Sequence, residues 1–207
     1  MKKRLLLFLV SSALLTGCKL ISPEVKNPLV AIHDRFHDKY KIISSTSDVP
    51  VDVNFDGNAS TDLTTEILNL ALDADEKHYP EYYLELRIGI DHSNGLPPAD
   101  LLTEWWPSQN ILPGAGKYWQ GEQLAYDPAL DVGYESGGSF GFFKFSEGFK
   151  KITVDLKAES FRFRKPESIT VLPGDIIQVV TKRPLYTRQG AKNVTITTQY
   201  KRFTIIT

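Results

Sequence analysis

Oxygen-bearing side chains recur at alternate positions in one short segment of the chain, from residue 52 to residue 62. Asp52, Asn54 and Asp56 alternate with other residues, and Gly57 follows at once. Ca²⁺ takes about six to eight oxygen ligands, and a tight loop supplies them best from alternate residues, with glycine permitting the sharp turn. The spacing therefore predicts a structural calcium loop, with Ca²⁺ as its cofactor. The candidate ligands are Asp52, Asn54, Asp56, Asn58, Ser60, Asp62 and Glu66.

The segment resembles the first half of the calcium loops of EF-hand and dockerin proteins. That resemblance implies an acidic ligand at the twelfth position of the loop, where this chain has Leu63. The closing ligand then comes from Asp62, one residue early, or from Glu66, three residues late. A plain polar connection is the alternative, in which the Asp-Gly pair makes a tight turn and Ser60 or Asp62 caps the next helix.

Three tryptophans in the irregular middle of the chain form the second candidate site: Trp105, Trp106 and Trp119. Aromatic faces that are exposed on loops stack on sugars or line apolar pockets. The sequence therefore predicts a small apolar ligand or a glycan as their partner. The alternative is structural, with the rings plugging the end of a barrel or packing under a long loop.

Recognisable catalytic patterns are missing from the sequence. There is no nucleophile elbow, and no cysteine is left for catalysis once Cys18 is assigned to the N-terminal signal. Four carboxylates could pair for glycoside hydrolysis, but sequence alone brings no two of them to the required separation of about 5 to 9 Å. They are Asp100, Glu104, Glu122 and Asp127. We therefore expect a protein that is not an enzyme, with a glycoside hydrolase as a less favoured alternative.

The N-terminus has the pattern of an export signal. A basic segment at residues 2–4 precedes an apolar stretch at residues 5–15, which is too short to span a bilayer as a helix. Leu15-Thr16-Gly17-Cys18 resembles the bacterial lipoprotein signal, in which the cysteine is acylated and becomes the first mature residue. Cys18 is the only cysteine, so no internal disulfide competes for it. A secretory signal with a chance cysteine is the alternative.

This resemblance implies attachment to a membrane through the acylated Cys18. Lys19 follows, and the lack of an aspartate there favours the outer membrane, with the domain facing the periplasm or the cell exterior. We expect a signal peptide at residues 1–17, a lipidated tether at 18–27 and a single mainly-β domain at 28–207. Three of the 24 basic residues and none of the 25 acidic ones lie in the signal, so the rest has a net charge of −4. That charge gives no reason to expect nucleic acid as a partner.

Short helices are expected near the N-terminus, and strands elsewhere. Apolar residues at helical spacing predict one helix that opens at Pro28 and another from Leu63 to about Asp73. Alternation with period two and β-branched residues predict strands over most of the remainder. The expected strands are 40–47, 82–90, 139–145, 152–159, 169–172, 176–181 and 194–202.

The connections between these strands also carry information. A region rich in Pro, Gly, Asn and Ser at 91–113 predicts a long loop with a helical turn at 99–103, and Pro173-Gly174-Asp175 predicts a tight turn. The apolar residues change from even to odd positions near Phe161 and again near Phe203, which predicts β-bulges. Long antiparallel strands with bulges and tight turns favour a mainly-β fold, either an antiparallel barrel or a β-sandwich.

Two segments resemble uncharacterised bacterial cell-surface lipoproteins with a lipocalin-like domain. Residues 36–45 have the aromatic-Lys-aliphatic-aliphatic-Ser pattern of a first barrel strand, and residues 194–202 are similar to a last strand. The resemblance implies a lipocalin-like barrel that carries a ligand or acts as a scaffold. We therefore expect a lipid-anchored, non-enzymatic envelope protein. The alternative is a carbohydrate-binding or adhesion module built on a β-sandwich.

Overall fold

The computed structural model describes residues 28–71, 79–89, 99–114, 116–156 and 164–203. Several sequence predictions lie outside these residues. They are the signal peptide, Cys18 and its tether, the helix end near Asp73, and the phase change near Phe161.

The described strands form a closed antiparallel barrel. Eight of them make a ring that β1 and β9 close by pairing with each other, and the short β2 pairs only with the far end of β1. The strands are β1 (Asp38–Val51), β2 (Ser60–Asp62), β3 (Tyr83–Arg87), β4 (Leu101–Ile111), β5 (Val132–Phe145), β6 (Lys151–Asp155), β7 (Ser168–Leu172), β8 (Ile176–Thr187) and β9 (Gly190–Phe203). The expected barrel is confirmed, and the β-sandwich alternative is not what the chain forms.

Two short α-helices accompany the barrel in the described part of the chain, α1 (Pro28–Phe36) and α2 (Leu63–Glu66), and residues Glu147–Phe149 form a 3₁₀ turn. Neither helix has the length and apolar character needed to cross a bilayer. Both were expected, although α2 is much shorter than the sequence predicts. It ends at Glu66 because Ile67 already has an extended backbone, with φ −116° and ψ 114°.

Side chains from all eight strands of the ring meet in a single apolar core. Inward-facing members include Tyr40, Leu84, Leu102, Phe143, Ile152, Ile169, Ile177 and Ile196. α1 covers one end of this core. The Phe36 ring lies 4.6 Å from that of Phe145, and an ion pair of 2.6 Å joins Arg35 to Asp175 in the turn between β7 and β8. The barrel is therefore filled by its own side chains along the part that this core occupies.

Two polar contacts cross the barrel between β4 and β8, which are four strands apart in either direction around the ring. Arg183 Nη2 donates to Glu104 Oε2 at 2.6 Å, and both side chains are buried. Further along, Gln109 Oε1 accepts the Tyr186 N–H at 2.6 Å, and Gln109 Nε2 donates to the Tyr186 carbonyl at 2.8 Å. These contacts connect opposite walls of the barrel through its interior.

A second, smaller core lies at the end of the barrel away from α1. It consists of Ile111, Trp119 and Tyr186, with Phe55 and Leu124 packed against it. The segment before β5 is fastened to the β8–β9 hairpin here, because the Ala191 N–H donates to the Leu124 carbonyl at 2.7 Å. This core therefore joins the 52–62 loop, the segment before β5 and the β8–β9 hairpin.

The sequence prediction of a long loop over 91–113 with a helical turn at 99–103 was wrong for residues 101–111, which form β4, while residues 91–98 lie outside the described residues. Buried and partly exposed positions alternate in the first half of β4, but its buried positions include Glu104, Ser108 and Gln109, so the sequence lacks the apolar alternation that identifies a half-buried strand. Pro107 strengthened the loop prediction. It lies beyond Trp105, the last β4 residue that pairs with β3, so this part of β4 has only β5 as a described neighbour. Proline is tolerated at such an edge.

The bulge that was predicted near Phe203 lies instead in β1. Ile42 pairs with Tyr200 and Ser44 with Gln199, so Ile43 is the extra residue. From Tyr200 to Phe203 the pairing of β9 with β1 is continuous, so the prediction was wrong. Phe203 is apolar but does not belong to the core, because its ring packs near that of Tyr79, with the centroids 6.3 Å apart. Its position in the sequence therefore falsely indicated a change of phase.

Candidate functional site

The 52–62 loop folds its polar side chains back onto its own backbone. Asp52 Oδ2 accepts the Gly57 N–H at 3.0 Å, Asn54 Oδ1 accepts the Asp56 N–H at 3.0 Å, and Asp56 Oδ1 accepts the Asn58 N–H at 2.7 Å. The first three candidate ligands therefore bond to the loop's own backbone, with Asp52 buried and Asn54 and Asp56 exposed. Such bonds occur both in a calcium loop and in the plain polar connection that was the alternative.

Two residues with positive φ give the loop its sharp curvature. Gly57 has φ 94°, which glycine adopts readily, whereas Phe55 has φ 63°, which is unusual for a bulky side chain. Arg188, between β8 and β9, holds this backbone in place. Its N–H donates to the Asp52 carbonyl at 2.9 Å and its Nη1 donates to the Phe55 carbonyl at 3.3 Å. The loop is thus fixed to the β8–β9 hairpin.

Asp52 is the most informative residue of the loop. It is only 5% exposed, and its Oδ1 atom is buried with no hydrogen-bond partner among the described residues. A buried carboxylate oxygen without a partner loses its hydrogen bonds to water, and no other interaction compensates for that loss of free energy. A bound cation would satisfy this oxygen, so the loop passes this test of its fit to Ca²⁺.

Glu66, at the end of α2, reaches back to the start of the loop. It is 4% exposed, and its Oε2 accepts the Val53 N–H at 3.0 Å. Burial raises the pKa of the Glu66 carboxyl above its ordinary value, and the charges of Asp52 and Asp56 add to this, against the opposing backbone N–H groups of Val53 and Asn54. The charges of Asp52 and Asp56 therefore act on the Glu66 carboxyl, and a nearby divalent cation would favour its ionised form.

The second half of the candidate ligand set has a different role. Asp62 Oδ1 accepts the Thr64 N–H at 3.0 Å and the Thr64 hydroxyl at 2.8 Å, so Asp62 is the N-cap of α2. Ser60 Oγ accepts the Asp62 N–H at 2.9 Å. Of the two residues that could close the loop, Glu66 turns toward Asp52 and Asp62 serves the helix.

No three His, Cys, Asp or Glu side chains are grouped closely enough to hold a metal ion within the ranges that the structure describes. A calcium ion in this loop would therefore also need neutral oxygen ligands. The Asn54 side-chain oxygen and the Asn58 main-chain carbonyl, both among the sequence candidates, are of that kind. Ca²⁺ accepts such mixed sets of carboxylate, amide and carbonyl oxygens.

The three tryptophans lie in three different environments. Trp106 is buried in the main core, with the Arg183 guanidinium 4.9 Å from its ring centroid. Trp119 is buried in the second core, and its Nε1 donates to the Glu122 carbonyl at 2.8 Å. Trp105 lies on the outer wall beside Tyr83, with the ring centroids 6.1 Å apart. The structure thus does not bring them together into one ligand site.

The four carboxylates considered for glycoside hydrolysis each have their own hydrogen-bond partner. Glu104 accepts from Arg183 inside the barrel, and the other three accept backbone N–H groups. Those three are Asp100, Glu122 and Asp127, which accept from Gly89, Gln120 and Ala129. Each carboxylate therefore has a structural role.

Sequence reasoning missed two arginines that organise this end of the molecule, Arg183 and Arg188. A signal for Arg183 exists in β8, where inward positions carry Ile177, Val179, Thr181, Arg183 and Leu185. A charge within such a stripe indicates a buried partner. Arg188 has no comparable signal, because its contacts are with main-chain atoms.

Comparison with known proteins adds no family assignment. No family model matches this chain, and no curated protein or solved structure matches it either. A functional assignment therefore rests on the fold and on the geometry of the loop.

Proposed function

We propose that this chain is a lipid-anchored, non-enzymatic protein of the bacterial envelope, with a barrel that serves as a scaffold and a loop that binds a structural Ca²⁺. The resemblance of residues 36–45 and 194–202 to lipoproteins with a lipocalin-like domain supports this proposal. The single observation that carries the calcium assignment is the buried Asp52 carboxylate, with one oxygen on the Gly57 N–H and the other without a partner in the described part of the chain.

The scaffold role is supported by the way the barrel is filled. All eight strands of the ring contribute side chains to one core, and the Glu104–Arg183 pair crosses between opposite walls. A lumen occupied in this way leaves little room for a carried ligand. We expect a fluorescent fatty-acid probe to show no saturable binding to the purified protein. Saturable binding that an aliphatic competitor displaces would instead favour a carrier.

The calcium would act by holding one end of the barrel together. Asp52 and Phe55 are already bonded through their carbonyls to Arg188 in the β8–β9 hairpin. An ion inside the loop would fix its curvature and keep these contacts in register. We therefore assign the ion a structural role.

The calcium proposal is tested by titration calorimetry on the purified protein. We expect one Ca²⁺ per chain, with a dissociation constant of about 10⁻⁵ to 10⁻³ M, the range of sensor and extracellular sites. Asp52→Asn and Glu66→Gln should each weaken binding at least about tenfold, because each removes a charged oxygen ligand. Glu167→Gln is the matched control, since Glu167 pairs with Lys182 on the surface. No heat at millimolar Ca²⁺, or equal binding by all four proteins, would refute the assignment.

The lipid anchor is tested separately by mass spectrometry of the N-terminal peptide from the native host. The sole cysteine, Cys18, should carry acyl chains and be the first residue of the mature protein. An unmodified Cys18, or cleavage elsewhere, would remove the anchor from the proposal. The calcium assignment would stand unchanged, because it depends only on the loop.

A second candidate function, binding of a glycan through the outer wall, is favoured by aromatic side chains on neighbouring strands. Phe140 and Phe142 of β5 are 67% and 45% exposed, and Trp105 of β4 lies beside Tyr83 of β3. Aromatic rings on a sheet surface can stack on sugar rings. Retardation of the protein in polysaccharide-containing gels, abolished by Trp105→Ala, would favour this function. Migration independent of polysaccharide would exclude it.

A further inference from the structure

A cavity of about 250 Å³ lies where the 52–62 loop meets the segment that precedes β5. Three aromatic rings and two carboxylates line it. They are Phe55, Tyr126, Tyr186, Asp127 and Asp131. The sequence does not predict that these five residues meet, because they come from three separate parts of the chain.

The three rings form a compact group. The centroid distances are 6.0 Å between Phe55 and Tyr126, 6.0 Å between Phe55 and Tyr186, and 6.4 Å between Tyr126 and Tyr186. Tyr186 is fully buried, and its hydroxyl accepts the Asp127 N–H at 2.7 Å and donates to the Ala125 carbonyl at 3.2 Å. Tyr186 therefore supports the cavity from behind, and the partly exposed rings of Phe55 and Tyr126 are those that a ligand can reach.

The Phe55 ring joins this group although the Phe55 backbone has a strained conformation. Its φ of 63° is in the left-handed region, where a residue without a Cβ, or a short polar residue, is much less strained. The Phe55 side chain has no oxygen and cannot be a calcium ligand. Strain of this kind persists where the surrounding structure imposes it, and it is concentrated at ligand sites. The strained backbone places the ring in the cavity wall.

The acidic residues give the cavity its charge. Asp127 Oδ1 accepts the Ala129 N–H at 2.9 Å, which orients this carboxylate at the start of the turn that the cavity includes. Asp131 lies in the same wall, on the residue before β5 begins. Aromatic rings attract cations through the negative charge of their faces, and carboxylates attract them through net charge. A cavity that has both selects a positively charged ligand.

We propose that this cavity binds an organic cation of the alkylammonium class, with a trimethylammonium head group as the preferred ligand. Such a group has no N–H to donate, so it gains most from aromatic rings and from carboxylates that need not make direct hydrogen bonds. A primary ammonium ion would lose more solvation in the same place. The proposal goes beyond the calcium site and does not depend on it.

The test is titration of the purified protein with choline chloride, followed by calorimetry. The comparison compound is 3,3-dimethylbutan-1-ol, which has the shape of choline without the charge. We expect saturable binding of choline and at least about tenfold weaker binding of the neutral compound. Equal binding of the two compounds, or no saturable choline binding up to about 50 mM, would overturn the proposal.

Variants locate the binding in this cavity. Tyr126→Ala and Asp131→Asn should each weaken choline binding at least about fivefold, because one removes a ring and the other a charge. Tyr79→Ala is the matched control, since Tyr79 is also an exposed tyrosine and packs near Phe203 instead. Wild-type affinity in both cavity variants would overturn the proposal. Circular dichroism checks that all variants are folded. Asp131 is exposed, so we expect Asp131→Asn to leave the fold unchanged.

A second arm distinguishes a free solute from a lipid head group. Phosphatidylcholine vesicles replace choline chloride in a sedimentation assay. Binding to both shows that the cavity recognises the head group wherever it is presented. Binding of choline alone shows that the ligand is a small solute, since the cavity then does not accept the membrane-bound form.

Discussion

At the scale of single residues, the least expected feature is a buried ion pair inside the barrel. Arg183 and Glu104 are 2.6 Å apart, and the Tyr200 hydroxyl donates to the other Glu104 oxygen at 2.8 Å. Each charge is acceptable there only because the other is present. The pair is therefore a specific connection between β4 and β8 rather than a general source of stability.

Removing one partner of this pair should be far more damaging than removing both. Arg183→Ala leaves Glu104 buried and unpaired, and we expect it to lower the free energy of unfolding by about 3–5 kcal/mol. The double variant Glu104→Leu, Arg183→Met should recover most of this loss. Urea unfolding measures both effects.

Arg35→Ala is the control for that experiment. It breaks the exposed ion pair with Asp175, and such pairs contribute only about 0–1 kcal/mol. Equal losses in Arg35→Ala and Arg183→Ala would show that the buried pair has no special role in the barrel.

Residue types and spacing indicated only half of the candidate site. The alternation of Asp52, Asn54 and Asp56 depends on local sequence, and their side chains bond to the loop's own backbone, as they would in a calcium loop or in a plain polar turn. The separate roles of Asp62 and Glu66 could not be read in this way. They depend on α2 ending at Glu66, which returns that side chain to Val53. Whether the loop binds Ca²⁺ stays a prediction.

At the scale of elements, the segment before β5 is held to the β8–β9 hairpin by a close backbone approach. Gly190 has φ 90°, and a Cβ added to it would lie 2.8 Å from the Leu124 carbonyl oxygen. Gly174, in the β7–β8 turn, also has a positive φ of 78°, but a Cβ there would meet open space. Substitution of Gly174 by alanine would therefore introduce backbone strain alone, whereas substitution of Gly190 would introduce both backbone strain and a steric clash.

This difference predicts unequal effects of the same substitution. Gly174→Ala should cost about 1–2 kcal/mol, the penalty of a left-handed backbone alone. Gly190→Ala should cost at least about 1 kcal/mol more, because it also forces the Leu124 backbone away from the hairpin. Thermal unfolding followed by circular dichroism compares them. Similar melting temperatures would contradict the proposed packing of the segment on the hairpin.

The elements that were predicted correctly are those with one buried face or a distinctive turn. β3 and β6 alternate, and the Pro173-Gly174-Asp175 turn joins β7 to β8 as expected. β4 was missed because several of its buried positions carry polar side chains, among them Glu104 and Gln109, and because its Trp-Trp-Pro sequence is typical of loops. The additional residue in β1, Ile43, was missed because a bulge is defined by its partner strand.

At the scale of the whole molecule, the closed barrel places several tyrosines in a medium where a phenolate is costly. Burial raises the pKa of Tyr200 well above its ordinary value, and the Glu104 carboxylate adds to this shift. Burial likewise raises the pKa of Tyr40 and of Tyr134. These groups stay neutral as long as the barrel stays closed.

The protein should therefore lose stability in alkali in a defined direction. Because the folded-state pKa values are raised, the stability is complete below the ordinary tyrosine pKa of about 10, and it is lost as pH rises through the folded values. We expect phenolate absorbance to increase in two phases, the second coinciding with loss of circular dichroism. Ionisation of all nine tyrosines in one gradual phase, with the fold intact, would contradict a filled barrel.

The structural role that we propose for the 52–62 loop depends on a bound ion that holds this loop against the barrel. Thermal unfolding of the purified protein in excess Ca²⁺, in excess Mg²⁺ and in chelator tests this most directly. At a Ca²⁺ concentration 100 times the dissociation constant, binding should add about 2.7 kcal/mol. For a chain of this size that is a rise in melting temperature of about 5–10 °C over chelator, with little effect of Mg²⁺. The same melting temperature in Ca²⁺ and in chelator would contradict the account.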